Sequence, residues 1–196
     1  MMEQPAGMSP RLKARIAGVF YLLVFVTGAY ALVIVNGRLA ANLIATACYV
    51  AVTLLLYDLL KPVDRSLSLL AAFFSLVGCA FGVIPSLHLA PFRISPLVFF
   101  GFYCLLIGYL VFRSSFMPRA LGALMAFGGL GWLTFLSPPL AEYLSPYSLV
   151  TGIIAEGALT LWLLVKGVNV PRWKEQASAA GNAGRRAVYP REEGAY

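Results

Sequence analysis

The sequence predicts an all-α integral membrane bundle of six transmembrane helices with both termini in the cytoplasm. Three observations carry that expectation. Of the 196 residues, 60% are hydrophobic and only 12% charged, with a mean hydropathy of +0.82, whereas a soluble domain is ~45–50% apolar and ~25% charged. Apolar stretches recur six times, most of them near the ~20 residues that a helix rising ~1.5 Å per residue needs to cross a ~30 Å hydrocarbon core. The basic residues alternate with those stretches. With odd junctions assigned to one side, only Arg38 and Arg93 of the 15 Lys and Arg residues fall on the other, and the positive-inside rule puts the crowded side in the cytoplasm.

The elements follow in order. Residues 1–14 form a polar lead, and 15–170 make one six-helix transmembrane domain with no room for a second folded unit. The polar lead and the absence of a small-residue cleavage pattern make the first span, 16–35, a retained helix rather than a signal peptide. Asn36, Gly37 and Arg38 turn the chain out of it. Span two, 39–60, carries Asn42, Thr46, Tyr49 and Thr53 at helical spacing, so these share an inward face. Lys61 and Pro62 end it, because a residue before proline is pushed out of the α region.

Span three, 67–87, contains the small-residue spacing Gly78 to Gly82, which favours close helix packing. His88, Pro91 and Arg93 make the next turn, and span four runs from 97 to 112. Pro118 suits the first turn of span five, where its missing N–H costs nothing. Gly128, Gly129 and Gly131 let neighbouring backbones approach that span and suggest a central helix. Span six covers 147–165, with Tyr143 and Tyr147 as interfacial anchors at one end and Trp162 and Trp173 at the other. The basic tail, 171–196, has no apolar period and is expected to be disordered in the cytoplasm.

Glu156 is the anomaly, a carboxylate near the middle of an apolar span and too deep to reach either surface. Insertion scales place such a residue at a cost of ~2.5–3.5 kcal/mol, which inward orientation, hydrogen bonding or protonation relieves. It is therefore expected to face the interior and to hold its proton at neutral pH. Gly152 and Thr160 share its face, and counting depth from the span ends brings Tyr49, Thr53 and Tyr103 to the same layer. Glu156, Tyr103, Tyr49, Thr53 and Thr160 thus form a candidate intramembrane polar centre. It is either a hydrogen-bonded clasp or a site for a proton, a cation or an amine. Lys61, Arg65, Arg113 and Arg119 make a basic cytoplasmic face, read as topology and snorkelling or as contact with anionic headgroups or a partner protein. Asp58 is expected to pair with Lys61.

Other chemistry is thinly represented. Cys48, Cys79 and Cys104 lie inside apolar stretches without a metal-binding spacing and read as buried spectators. The sequence has no metalloprotease, nucleophile-elbow or phosphate-loop motif, and no cofactor is called for. The net charge of +7 borders membrane spans and is assigned to topology, not to nucleic acid.

The chain resembles the bacterial multi-pass membrane family catalogued as domain of unknown function 4386 over nearly all of 15–170. The residues that carry the resemblance include Arg15-Ile16-Ala17-Gly18, Leu59-Leu60-Lys61-Pro62-Val63, Phe99-Phe100-Gly101 and Gly108-Tyr109-Leu110. They continue through Phe112-Arg113-Ser114, Pro118-Arg119, Glu156 and Lys166-Gly167-Val168-Asn169. The resemblance implies six spans in a bacterial inner membrane and no particular activity. The preferred function is a small-molecule or proton-linked binding or transport module centred on Glu156. The alternatives are an accessory packing subunit of a membrane complex and, behind it, an intramembrane enzyme.

Overall fold

A computed structural model describes residues 8–33, 37–86 and 95–188. The turn residues Asn36, His88, Pro91 and Arg93, and Arg191 in the tail, lie outside them. Six helices are long and apolar enough to cross a membrane: α1 (Pro10–Val33), α2 (Arg38–Leu60), α3 (Arg65–Ser86), α4 (Pro96–Arg113), α5 (Arg119–Leu133) and α7 (Tyr147–Val165). A 3₁₀ turn, Thr134–Leu136, extends α5. The short α6 (Pro138–Tyr143) leads into α7, and α8 (Val170–Val188) follows it. The protein is an all-α, multi-pass membrane bundle.

Local chemistry sets several boundaries. Gly37 adopts φ 90° before α2, a left-handed conformation that glycine takes without Cβ strain. The Asp64 carboxylate accepts the Leu67 N–H at 2.9 Å, supplying one of the donors left open at the start of α3. The Ser95 hydroxyl does the same for Leu97 at 3.3 Å, with Pro96 in the first turn of α4.

The six spans pack as a closed ring in the order α1, α2, α3, α4, α5, α7, with α7 returning to α1. The α4–α5 seam is built backbone to backbone. A Cβ on Gly108 would lie 2.7 Å from the Ala126 nitrogen and the Gly122 oxygen, and one on Gly129 2.9 Å from the Gly101 oxygen. On the other flank of α5, a Cβ on Gly128 would meet the Ala155 methyl of α7 at 2.5 Å. The span-five glycines therefore do serve close packing. The helix is nonetheless a member of the ring and not central, because its outward Phe127 and Leu130 are 58% and 56% exposed. Gly78 and Gly82 do not form the seam their spacing suggests. Gly78 faces the Phe100 ring, and a Cβ on Gly82 would have nothing within 4 Å.

The tail differs from the sequence expectation. It is helical from Val170 to Val188 instead of unstructured from 171, because tertiary tethers supply what its polar composition lacks. Asn169 caps it, accepting the Arg172 N–H on its side chain and the Trp173 N–H on its carbonyl. Trp173 donates its indole N–H to the Leu59 carbonyl at 2.8 Å, and Gln176 accepts from the Ser115 N–H and hydroxyl. The lead is likewise helical from Pro10 on.

Candidate functional site

Side chains from α2, α4 and α5 converge on Glu156 of α7, and one from α1 joins them through Tyr49. Glu156 is only 8% exposed. One turn earlier, Gly152 leaves the gap that makes the first contact possible, since a Cβ there would overlap the Trp132 indole. Trp132 of α5 fills that gap and donates Nε1–H to Glu156 Oε1 at 3.0 Å. Cys104 of α4 approaches the same oxygen through Sγ at 3.6 Å, and Tyr49 of α2 donates its hydroxyl to Oε2 at 3.4 Å. The Tyr49 hydroxyl is also 3.3 Å from that of Tyr21 on α1. The Tyr21 ring meets that of Tyr49 edge-on, with centroids 5.5 Å apart.

The donors are all formally neutral. Among the described residues the salt bridges are Lys13 to Asp58 and Lys61 to Asp58, so no cation compensates Glu156. Its Oε1 has a close donor, while Oε2 has only the long bond to Tyr49. Beside the carboxylate lies a cavity of about 320 Å³ with Glu156, Trp132, Tyr49 and Phe100 among its walls. It reaches Asn42 and Thr46 near the start of α2 and Leu97 near the start of α4, so it runs toward the end of the bundle opposite Lys61. The Tyr49 and Phe100 rings are 4.8 Å apart between centroids, giving the cavity an aromatic wall beside one carboxylate. Such a lining, apolar with a few convergent polar groups, is the usual make-up of a small-molecule site. Among the described residues no group of three or more His, Cys, Asp or Glu side chains could hold a metal ion.

The residues singled out from sequence divide. Glu156 and Tyr49 meet directly. Tyr103 is buried in the same layer with its ring 5.9 Å from that of Tyr49, yet its hydroxyl has no hydrogen-bond partner among the described residues. Thr53 turns away from the carboxylate. Its hydroxyl bonds the Tyr49 carbonyl at 2.9 Å and Ser75 of α3 at 2.6 Å. Thr160 bonds back to the Glu156 carbonyl at 2.8 Å and not to its side chain. The basic residues do not converge on one site either. Lys61 pairs with Asp58, which also binds Lys13 of α1. Arg113 bonds the Tyr109 hydroxyl at 3.0 Å, Arg119 lies over the Phe112 ring, and Arg65 is exposed.

Trp132, Cys104 and Tyr21 are the members that sequence reasoning missed. A tryptophan close to a span end reads as an interfacial anchor, and a lone cysteine as packing. The signal available for Trp132 was Gly152 on the face of Glu156, a gap that needs a large partner.

Comparison with known sequences adds the following. The sequence profile of a family described as "Domain of unknown function (DUF4386)" matches residues 38–96 and 86–167. A protein of Archaeoglobus fulgidus, named as an uncharacterized protein, is 33% identical over 127 residues, 60% of this chain and 76% of that one. The likeness therefore reaches an archaeal protein. No solved structure matches the chain.

Proposed function

The chain belongs to the DUF4386 family, and on that premise we propose that it is a small-molecule or proton-linked binding or transport module centred on Glu156. The observation that carries this reading is the cavity of about 320 Å³ that ends on the carboxylate. A purely structural clasp would be closed by packing. Here the carboxylate is held by Trp132, Cys104 and Tyr49 and is still among the walls of a space large enough for a small ligand. A proton, an inorganic cation or a small amine suits a carboxylate backed by aromatic rings.

The polar centre is then Glu156 with Tyr49 as a direct partner and Tyr103 as part of the wall, while Thr53 and Thr160 act on the backbone beside it. Both termini are taken to be cytoplasmic, in the bacterial plasma membrane, with Lys61, Arg65, Arg113 and Arg119 at the headgroup level. The cavity would then run to the outer side. A reporter fused after Val170 should be active only in the cytoplasm, and activity outside would reverse the orientation.

The test of function is Glu156→Gln. Glutamine keeps the shape and can still accept from Trp132, but it cannot exchange a proton or carry charge. The protein should purify folded in mild detergent and lose the small molecules that co-purify with the unsubstituted chain, or its proton-coupled uptake in vesicles. Retention of both would favour the clasp, and with it the accessory-subunit reading.

A further inference from the structure

The basic end of the bundle holds a second cavity, of about 560 Å³, remote from Glu156. It forms where the first turn of α1, the 114–118 turn, the end of α7 and the start of α8 meet. Arg11, Lys166 and Arg172 border it from three different elements, together with Ser115 and Trp162. The corner is shaped for this. Gly167 has φ 66°, and a Cβ there would press on Arg11 Cγ at 3.3 Å, so glycine both reverses the chain after α7 and admits the Arg11 stem.

The electrostatics are unbalanced. Both salt bridges among the described residues belong to Asp58, which does not border this cavity. Arg172 makes one long hydrogen bond, to the Ser115 carbonyl at 3.4 Å, and Arg11 and Lys166 make none with their side chains among the described residues. The indole N–H of Trp162 is buried with no acceptor among the described residues. Three cations around one space, with the Trp162 indole N–H on a lining residue, match an oxyanion that accepts several hydrogen bonds at once.

We propose that this cavity binds a phosphate group, presented by a lipid headgroup or as free phosphate. Its volume lies within the ~300–1,000 Å³ usual for small-ligand sites. The site sets the α1, α4–α5 and α7–α8 corners around a single anion, and α8 with its tethers to Leu59 and Ser115 forms one wall.

The test uses the full chain in nonionic detergent and follows thermal unfolding with two probes. One is inorganic phosphate against chloride at matched ionic strength. The other is phosphatidylcholine vesicles with and without phosphatidylglycerol, after reconstitution. The double variant Arg11→Gln/Lys166→Gln removes two charges that make no hydrogen bond or ion pair among the described residues and keeps most of the Arg11 stem beside Gly167, and Arg38→Gln at the opposite end is the control for bulk charge. The unsubstituted chain should be stabilised by at least one probe, and the double variant should need roughly tenfold more of it or respond no further. Stabilisation by phosphatidylglycerol alone identifies a headgroup as the source, and stabilisation by inorganic phosphate a free ligand. No response to either probe, an unchanged double variant, or an equal loss in Arg38→Gln would overturn the proposal.

Discussion

Two carboxylates in this molecule are held in opposite ways. Asp58, at the basic end of α2, is clamped between Lys13 of α1 and Lys61 at the end of its own helix. Glu156, in the middle of α7, is held by an indole, a thiol and a phenol and, among the described residues, by no cation. The first arrangement neutralises charge where headgroups and water are near, and it ties α1 to α2. On the proposed function, the second leaves the carboxyl able to change its charge state or to take a cation from the cavity beside it. A partly exposed acid with lysines on both sides is structurally satisfied. One with neutral donors and a cavity beside it is the candidate for chemistry.

The comparison breaks most readily at Glu156→Ala. That change leaves the Trp132 indole and the Cys104 thiol without an acceptor, leaves Tyr49 with Tyr21 alone and enlarges the cavity, so it should cost ~2–4 kcal/mol in a detergent unfolding titration. A cost below that of Asp58→Ala would reverse the ranking. Trp132→Phe removes only the Oε1 donor while keeping most of the ring that fills the Gly152 gap. A loss of ~1–2 kcal/mol is expected by the same measurement, in line with interhelical hydrogen bonds in membranes.

These residues also mark how far the sequence could be read. An acid among apolar residues is visible in one dimension, and depth can be counted at a fixed rise per residue. Six spans, the inward Glu156, its Tyr49 layer and the Asp58–Lys61 pair were therefore legible. Rotation about each helix axis was not. Thr53 sits near the right depth but faces Ser75, while Cys104 and Trp132 reach the carboxyl from helices whose apolar surfaces look alike all round. The helicity of α8 was hidden for a related reason, since it rests on Leu59, Ser115 and Asn169, contacts that the tail's own composition does not encode.

The smaller effects sharpen the contrast. Asp58→Asn should cost about 1 kcal/mol or less, because its pairs are partly exposed, and the difference should shrink as salt is raised. An effect independent of salt would mean that Asp58 acts through packing. Tyr103→Phe should leave stability nearly unchanged, since the hydroxyl it removes has no hydrogen-bond partner among the described residues. A clear loss would assign that hydroxyl a role in the polar centre.

The account turns on whether Glu156 can be reached through its cavity. A membrane-permeant carbodiimide forms a stable adduct with an accessible carboxylic acid, and mass spectrometry of the digested protein locates it. The account predicts labelling at Glu156, abolished in Glu156→Gln and slowed by a small organic ammonium ion that competes for the cavity. Labelling of Asp58 or Glu175 with none at Glu156 would contradict it, and the carboxylate would then be a sealed clasp.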